Sequence, residues 1–480
     1  MVFSSSIFLF VFLPAVLTLW FVLPQRLSNL ALLISSLTFY AWGEQWYVLL
    51  MIASSLLNYL FGLAVEPGRD NPRSRIALAI AVVFNIGLLA VFKYAGFFVG
   101  TLNQITGLVG RAPLPAVDLH LPIGISFFTF QALSYVVDIY RGETKALRNP
   151  LDAALYISLF PQLIAGPIVR FRQIADQIRH RTRKMSDVSW GITRFTIGLA
   201  KKVLVANIVA VPADRIFALP AAELNFGLAW LGLVCYTLQI FFDFSGYSDM
   251  AIGLGAIFGF RFPENFRYPY VARSVQEFWR RWHITLSSWF RDYVYIPLGG
   301  SRGTPLATYR NLITVFLLCG LWHGASWNFV IWGAYHGAFL VIERVGFKSL
   351  LSRTPRLVQH VYLLLVVMLG WVFFRAEGLG YALSYLGALF GLAPETPSTL
   401  TVAMLATPLI STALVAGIVW STPLTLGFWR RFQPAAEGEI QTPPTVALSV
   451  VRVVVCCLLW LLCSMELAAG SHNPFLYFRF

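Results

Sequence analysis

The sequence predicts an all-α protein that crosses a membrane many times as a single domain over residues 1–480. Of its residues 58% are hydrophobic and only 12% are charged, and the mean hydropathy is +0.69. Soluble domains carry about a quarter charged residues, so water is not the solvent for most of this surface. Apolar segments such as 76–92 and 446–462 approach the ~20 residues that cross a hydrocarbon core as a helix, and similar segments recur along the whole chain.

Four spans are predicted in the first part of the chain, at residues 7–23, 27–41, 46–65 and 76–100. The first is followed at once by further apolar sequence, unlike a cleaved signal peptide, so we expect it to remain as a helix. The polar loop 66–75 carries three arginines, and basic loops lie on the cytoplasmic side. Because three spans precede this loop, the N-terminus is predicted to lie outside, in the periplasm if the cell is bacterial.

The remaining apolar segments differ in polarity and length. Residues 121–140 mix phenylalanines with hydroxyl and amide side chains, which favours packing against other helices or a water-filled cavity over contact with lipid. Residues 151–165 are too short for a span and predict a re-entrant element or a buried half-helix. Further spans are predicted at residues 192–211, 226–260, 311–321, 328–345, 358–374, 403–420 and 447–467, for a total of roughly 11 to 13.

The charge of the chain is strongly basic, with 36 lysines and arginines against 22 acidic residues and a formal net charge of +14. The bases lie between apolar runs, most densely at residues 170–184, and not on the soluble face that nucleic-acid binding requires. We therefore exclude nucleic acid as a partner and expect contact with anionic membrane lipids. The five cysteines lie in apolar segments without a CxxC pair, which is typical of buried structural residues.

Ionisable side chains are costly in apolar segments and therefore suggest function. Gln239 and Asp243 lie within the long apolar stretch 226–260. Together with Gly246 they share one helical face, because they are separated by four and three residues. A hydrogen-bonded seam between helices is the structural alternative for these residues.

Residues 273–290 are predicted to form one amphipathic helix at the membrane interface. Basic residues, among them Arg280 and Arg281, occupy much of its polar side. His283 lies near the edge of the apolar side, where it either points into an interior cavity or makes a polar contact of an interfacial helix. The apolar residues that define this pattern are Val275, Phe278, Trp282, Leu286 and Trp289.

His323 is the sharpest candidate for catalysis, within the string LWHGASWN of residues 321–328. Apolar sequence flanks it on both sides, and Gly324 allows another segment to approach closely. Histidine accepts and returns a proton near neutral pH, which transfer of an acyl group to a hydroxyl requires. A structural histidine in a membrane helix is the alternative. His336 does not form an HExxH or i, i+4 pair with it, so no metal site is predicted.

Nine strings in this order over nearly the whole chain resemble the membrane-bound O-acyltransferase family, in particular its bacterial branch that acetylates exopolysaccharides such as alginate. They are FKYAGFF (92–98), PIGISFF (122–128), FPQLIAGP (160–167), FDFSGYSD (242–249), EFWRRWH (277–283), WFRDYVYIPLGG (289–300), LWHGASW (321–327), WGAYH (332–336) and NPFLYFRF (473–480). The motif-rich core therefore spans residues 92 to 345, and residues 346–480 add C-terminal helices.

The resemblance implies a ring of spanning and re-entrant helices around a central funnel or tunnel. His323 would be the catalytic base, or would carry a transient acyl group, and His283 would be a second functional position. No bound cofactor is implied, since acetyl-CoA would be the donor substrate, loaded from the cytoplasm. The acetyl group would pass through the inner membrane to a periplasmic or membrane-anchored partner protein. The residues that we expect to bind substrate are Trp322, Trp327, Asn328, Arg280, Arg281, Asp243, Gln239 and His336.

Within this set, Trp322 and Trp327 would form part of the wall of the central funnel or tunnel. Arg280, Arg281 or the basic stretch 170–184 would hold the phosphates of the donor.

Two other classes of function explain the same spans. An exporter of polysaccharide or lipid needs no acyl chemistry, but it leaves His283 and His323 unexplained, and the chain lacks the internal duplication of many transporters. A structural scaffold leaves the buried ionisable residues as an unexplained cost. Within the acyltransferase class, transfer of D-alanyl groups or acetylation of another glycan stays open.

Overall fold

The computed structural model describes residues 1–392, 397–425, 446–470 and 475–476, and every regular element among them is a helix. The all-α prediction is therefore confirmed for this part of the chain. The residues form two compact units, one of Met1–Val188 with Leu254–Pro263 and the other of Ser189–Gly253 with Glu264–Phe480. The prediction of one domain with a core from 92 to 345 stays a prediction.

The helices are named here in chain order. The first nine are α1 (Leu13–Val22), α2 (Ser28–Glu44), α3 (Tyr47–Val65), α4 (Pro72–Leu89), α5 (Ala95–Gly107), α6 (Ile125–Tyr140), α7 (Pro150–Ser158), α8 (Phe160–Leu163) and α9 (Phe171–Arg179). The next seven are α10 (Met185–Ala200), α11 (Asn207–Phe217), α12 (Phe226–Ile257), α13 (Val275–Trp279), α14 (Ile284–Phe290), α15 (Pro305–His323) and α16 (Trp327–Ile342). The last six are α17 (Lys348–Ser352), α18 (Arg356–Arg375), α19 (Leu379–Leu389), α20 (Val402–Leu405), α21 (Pro408–Trp420) and α22 (Val446–Ala468).

Six helical segments of the described residues are long and apolar enough to cross a membrane, and four shorter helices are also apolar. The multi-pass membrane character of the chain is thereby confirmed. The six are Tyr47–Val65, Pro72–Gly107, Met185–Phe217, Phe226–Ile257, Arg356–Arg375 and Val446–Ala468. Two of them, Met185–Phe217 and Phe226–Ile257, are more than 70% buried inside the protein, whereas Val446–Ala468 is only 6% buried. The first two therefore belong to the interior, and the last is available to lipid.

Two shorter segments take the places that the sequence predicts. Helix α6 is buried along nearly its whole length, which confirms that residues 121–140 pack against protein. Helices α7 and α8 are separated at Leu159, whose backbone is not helical, and together they form a buried, broken element too short to span.

The prediction of one continuous helix over residues 273–290 is wrong. The segment forms the short helices α13 and α14, separated by residues 280–283, and the last of these, His283, is left-handed with a φ of 42° and a ψ of 54°. A left-handed residue cannot continue a right-handed helix, so the chain turns there. The tryptophans on the apolar side of the segment, Trp279, Trp282 and Trp289, are at most 7% exposed, so they pack against protein.

Glycines bring α10 and α12 into backbone contact. A Cβ atom added to Gly198 would lie 2.5 Å from the carbonyl oxygen of Gly246, and one added to Gly246 would lie 2.7 Å from that of Gly198. Two turns away along the pair, a Cβ atom on Gly253 would lie 2.5 Å from the carbonyl oxygen of Gly191. Small residues permit such contacts between membrane helices, where no hydrophobic effect drives association. The two interior helices are thus as close as their backbones allow.

This contact lets basic side chains of α10 and the π-helical turn Lys201–Ala206 reach carboxylates of α12. Lys202 pairs with Asp243 at 2.5 Å, and both side chains are at most 5% exposed. Asp249 accepts from Lys201 at 2.6 Å and from Arg194 at 2.6 Å. Removing one member of a buried pair leaves an uncompensated charge, which is strongly destabilising. The pairs therefore hold the two interior helices in one register.

We expect Gly198→Ala to lower the melting temperature of the purified protein, because its Cβ would collide with the backbone of α12. Overpacking of this kind costs about 1–3 kcal/mol, and melting is measured by thermal unfolding in detergent. Gly100→Ala is the matched control, since nothing lies within 4 Å of a Cβ at that position of α5. Equal melting temperatures for the two variants would contradict the contact.

Candidate active site

Helices α15 and α16 form a tight hairpin that places His323. A Cβ atom on Gly320 would lie 2.2 Å from the carbonyl oxygen of Phe329, and one on Gly333 would lie 2.3 Å from that of Phe316. His323 is the last residue of α15, and a Cβ atom on the following Gly324 would lie 2.1 Å from the ring of Phe329. Gly324 therefore leaves room for the Phe329 side chain. The hairpin therefore presents His323 at its closed end.

Aromatic rings enclose the His323 imidazole, which is 4% exposed. The ring centroids of Trp322, Trp332 and Phe374 lie 4.9, 5.1 and 5.1 Å from it, each nearly perpendicular to it. Edge-to-face packing of this kind orients a ring within an apolar site. The histidine is therefore held by α15, α16 and α18 together.

His283 occupies a second buried position and is held by Asn265. The His283 side chain is fully buried, and its Nδ1 lies 3.1 Å from Oδ1 of Asn265. The same oxygen accepts from the backbone N–H of Thr285 at 3.2 Å and from the Thr285 hydroxyl at 2.9 Å, while the amide nitrogen donates to Ser248 on α12 at 3.0 Å. Because Oδ1 accepts these bonds, Nδ1 of His283 carries the proton.

The opposite nitrogen of His283, Nε2, is buried and makes no hydrogen bond within the described part of the chain. Burial lowers the pKa of His283 to about 3, since the charged imidazolium loses its hydration. The ring is therefore neutral near pH 7 and presents an unprotonated nitrogen. This is the form that can accept a proton or a hydrogen bond from a substrate.

Trp322 links the two histidines. Its ring centroid lies 6.1 Å from that of His283 and 4.9 Å from that of His323. The structure thus places His283, Trp322 and His323, which sequence reasoning had named separately, in one cluster.

His336 joins the same cluster from the next turns of α16. Its ring is fully buried, and the rings of Trp279 and Trp332 lie 5.2 and 5.0 Å from it. Neither of its nitrogens makes a hydrogen bond among the residues that the structure describes. Gly370 of α18 leaves room for it, since a Cβ there would lie 2.7 Å from Nε2. His336 is one ring away from His323, through Trp332.

The other residues predicted to bind substrate occupy several elements of the fold. Trp327 begins α16 and is 49% exposed, and Asn328 donates to the carbonyl oxygen of Ala376 at 2.7 Å. Gln239 is buried on α12. Asp243 is engaged by Lys202, and its Oδ2 accepts from the backbone N–H of Leu476 at 2.8 Å. The side chains of Asn328 and Asp243 are therefore engaged in structural contacts within the protein.

Leu476 and Phe475 are the two described residues of the string NPFLYFRF, whose other six residues lie outside the described part. The ring of Phe475 lies 6.1 Å from that of Phe244, and the Phe244 ring lies 4.6 Å from His283. Phe475 therefore packs behind the histidine site.

A cavity of about 1100 Å³ adjoins the cluster and contains Arg280. Trp279 forms part of its wall and also contacts His336, so the cavity reaches the aromatic cluster. The guanidinium groups of Arg280 and Arg344 make no hydrogen bond or ion pair within the described ranges, and Glu343 accepts from the backbone N–H groups of Val275 and Gln276. The charged and hydroxyl residues of the lining are Arg280, Arg291, Arg344, Lys348, Glu343, Ser287, Ser288, Tyr295, Ser301, Ser349 and Ser352. An anionic ligand fits this lining.

The two other groups of bases predicted to hold phosphates have protein partners. Arg281 donates to Glu277 at 2.8 Å and to the carbonyl oxygen of Arg267, and it does not line the cavity. In the stretch 170–184, Arg172 pairs with Glu143, and Arg183 donates to Ser28 at 2.6 Å. Arg280 is therefore the predicted arginine that faces the cavity.

Sequence reasoning missed several parts of the site. Asn265 lies in an irregular segment without a motif of its own, and Arg291, Arg344 and Lys348 come from separate elements. Trp279 and Trp332 lie within the strings that carry the family resemblance. They have no ionisable group, so nothing in those strings marked them as site residues. A buried ring contact between distant segments leaves no periodic signal in the chain.

The comparisons with known proteins agree with this architecture. The model of the membrane-bound O-acyltransferase family, MBOAT, matches residues 143–375, a range that includes His283, His323 and His336. This chain belongs to that family and is a membrane O-acyltransferase.

Several relatives are similar to this chain over their full length. It is 44% identical to "Probable alginate O-acetylase AlgI" of Azotobacter vinelandii and 43% identical to the protein of the same name in Pseudomonas putida, over 100% of each chain. It is also 38% identical to "Peptidoglycan O-acetyltransferase" of Helicobacter pylori, over 82% of this chain and 80% of that protein.

We expect Asn265→Asp to shift the acid limb of the pH–rate profile to higher pH. The carboxylate keeps the acceptor for Nδ1 but adds a negative charge, which favours the imidazolium and raises the pKa of His283. If acyl transfer requires neutral His283, the variant therefore loses this activity at a higher pH than the wild type does as the pH is lowered. The measurement is acyl transfer by purified protein across a pH series. A profile superimposable on that of the wild type would exclude a role for His283 protonation.

Proposed function

We propose that this chain is an O-acetyltransferase of a bacterial inner membrane that takes acetyl groups from acetyl-CoA for the O-acetylation of an exopolysaccharide such as alginate. The names of relatives aligned over their whole length support the acetyl group and the polysaccharide. The observation that carries the proposal is the contact of Trp279 with both the basic cavity and the His336 ring, because it joins a site for an anionic donor to buried histidines.

The donor would enter the cavity from the cytoplasm. Its phosphates would bind Arg280 and Arg344, which have no protein partner among the described residues, and Arg291 and Lys348 would add positive charge. The pantetheine arm would extend past Trp279 toward the aromatic cluster. Charge-assisted hydrogen bonds of arginine with phosphate are among the strongest polar contacts, so these residues would supply most of the donor's polar affinity.

In the proposed reaction His323 acts as the general base. It takes the proton of the acceptor hydroxyl as the hydroxyl oxygen attacks the thioester carbonyl carbon. The C–S bond then breaks, and the CoA sulfur leaves as a thiolate that takes the proton back from His323. His283 would hold the acceptor hydroxyl, which would donate a hydrogen bond to its unprotonated Nε2. The low dielectric of the aromatic enclosure strengthens each of these electrostatic contacts.

The acceptor side of the reaction is also part of the proposal. A periplasmic or membrane-anchored protein would receive the acetyl group and complete its transfer to the polymer. The N-terminus would lie in the periplasm, because three spans precede the basic loop 66–75. Acyl chemistry is favoured over an exporter without chemistry, since the chain belongs to an acyltransferase family.

We expect His323→Ala to reduce acetyl-CoA turnover by roughly 10²–10⁴-fold, the usual contribution of a general base. Turnover is measured with purified protein and radiolabelled acetyl-CoA, with and without candidate acceptor proteins. His180→Ala is the matched control, because His180 is an exposed histidine far along the chain from the site. Wild-type turnover in the His323 variant, with the melting temperature unchanged, would reject the assignment.

We expect Arg280→Gln to raise the KM for acetyl-CoA by about 10- to 100-fold with a small change in kcat, because a lost charge-assisted bond removes about 1.5–3 kcal/mol of binding. Steady-state kinetics over a range of acetyl-CoA concentrations provide the test. Arg353→Gln serves as the control, since Arg353 is exposed and does not line the cavity. An unchanged KM for Arg280→Gln would remove this cavity as the donor site.

A further inference from the structure

A second cavity of about 410 Å³ lies within the second unit, apart from the basic cavity. It is enclosed by α10, α12, the segment that follows α12, the end of α21 and the middle of α22. Its volume falls in the range of about 300–1,000 Å³ that is typical of small-molecule sites. Neither the proposed donor nor the histidine cluster accounts for it.

One wall of this cavity is formed by α22, whose opposite side is exposed and apolar. Val455 and Leu459 of α22 line the cavity, whereas their neighbours Val454 and Leu458 are 50% and 53% exposed. Helix α22 is fastened to α10 by two polar contacts, from Arg452 to Ser189 at 2.8 Å and from Trp460 to Thr196 at 2.9 Å. The cavity therefore lies directly behind a lipid-facing helix.

The charges of the cavity favour an anion at one end. Arg194 and Lys201 face the carboxylates of Asp249 and Glu264, to which they are paired. Arg267 adds a third cation, and its guanidinium makes no hydrogen bond or ion pair within the described ranges. Three cations against two carboxylates leave one positive charge in excess.

The other part of the lining is apolar and aromatic. Phe241, Phe242 and Leu459 contribute to it, and the Phe266 ring lies 5.1 Å from Trp282 and 6.4 Å from His283. A ligand that fits has an anionic group at Arg267 and an alkyl chain among the phenylalanines. A chain bound there would lie one ring away from the histidine cluster.

We propose that this cavity is a binding site for an anionic phospholipid. The phosphate binds Arg267, and one acyl chain enters beside α22 and lies along Phe241, Phe242 and Leu459. A membrane provides this ligand on the open side of α22, and the excess positive charge selects an anionic headgroup over a zwitterionic one. The inference concerns lipid binding and does not depend on the identity of the acyl donor.

Native mass spectrometry of the full-length protein in a mild detergent, with phosphatidylglycerol or phosphatidylethanolamine added, tests the proposal. We expect the wild type to retain one phosphatidylglycerol in preference to phosphatidylethanolamine. Leu459→Trp fills the cavity and should abolish this retention. Leu458→Trp, which places the same side chain on the lipid-facing side of α22, should leave it unchanged.

Arg267→Gln provides a second test that does not perturb packing, because Arg267 is exposed. We expect it to reduce the preference for phosphatidylglycerol by about fivefold, the effect of one cation near an anionic headgroup. Equal retention of the two lipids by the wild type would overturn the proposal. So would phosphatidylglycerol retention in Leu459→Trp equal to that in Leu458→Trp.

Discussion

The backbone contact between α10 and α12 is the constraint on which the second unit depends. In a membrane interior a lone carboxylate or ammonium group is costly, and Asp243, Asp249 and Lys202 are all buried. Their charges are compensated only because the glycines of the two helices allow an approach that brings each pair within about 3 Å, the range of a charge-assisted hydrogen bond. The same close contact therefore explains both why these helices can carry polar residues and why they can be buried.

The same helix then supports the site through its next residues. Phe244, which follows Asp243, packs on the His283 ring, and Ser248, which precedes Asp249, accepts from the Asn265 amide that orients His283. The ion pairs fix the register of α12, and one ring contact and two hydrogen bonds then position His283 relative to that helix. From there Trp322 continues the packing to His323. The site combines a rigid polar support on one side with an aromatic enclosure on the other.

The sequence was most informative where composition or a local string carries the signal. Long apolar segments predicted a helical membrane protein, and the buried α6 followed from its mixed aromatic and hydroxyl character. His283, Trp322 and His323 were each identified, but no spacing indicates that Trp322 contacts both histidines. The continuous helix over 273–290 was wrong because a three- and four-residue pattern cannot reveal a single left-handed residue. Asn265 and the bases of the donor cavity come from distant segments, so only the folded chain brings them together.

The left-handed backbone of His283 has a consequence for how its chemistry is studied. A residue with a Cβ atom pays about 1–2 kcal/mol for this conformation, and the burial of the ring compensates for that cost in the native protein. Alanine at this position would lose both the imidazole and the packing that stabilises the turn, so a loss of activity would mix two causes. Asparagine tolerates the left-handed region more readily than other side chains. It therefore separates the proton chemistry of the ring from the geometry of the turn.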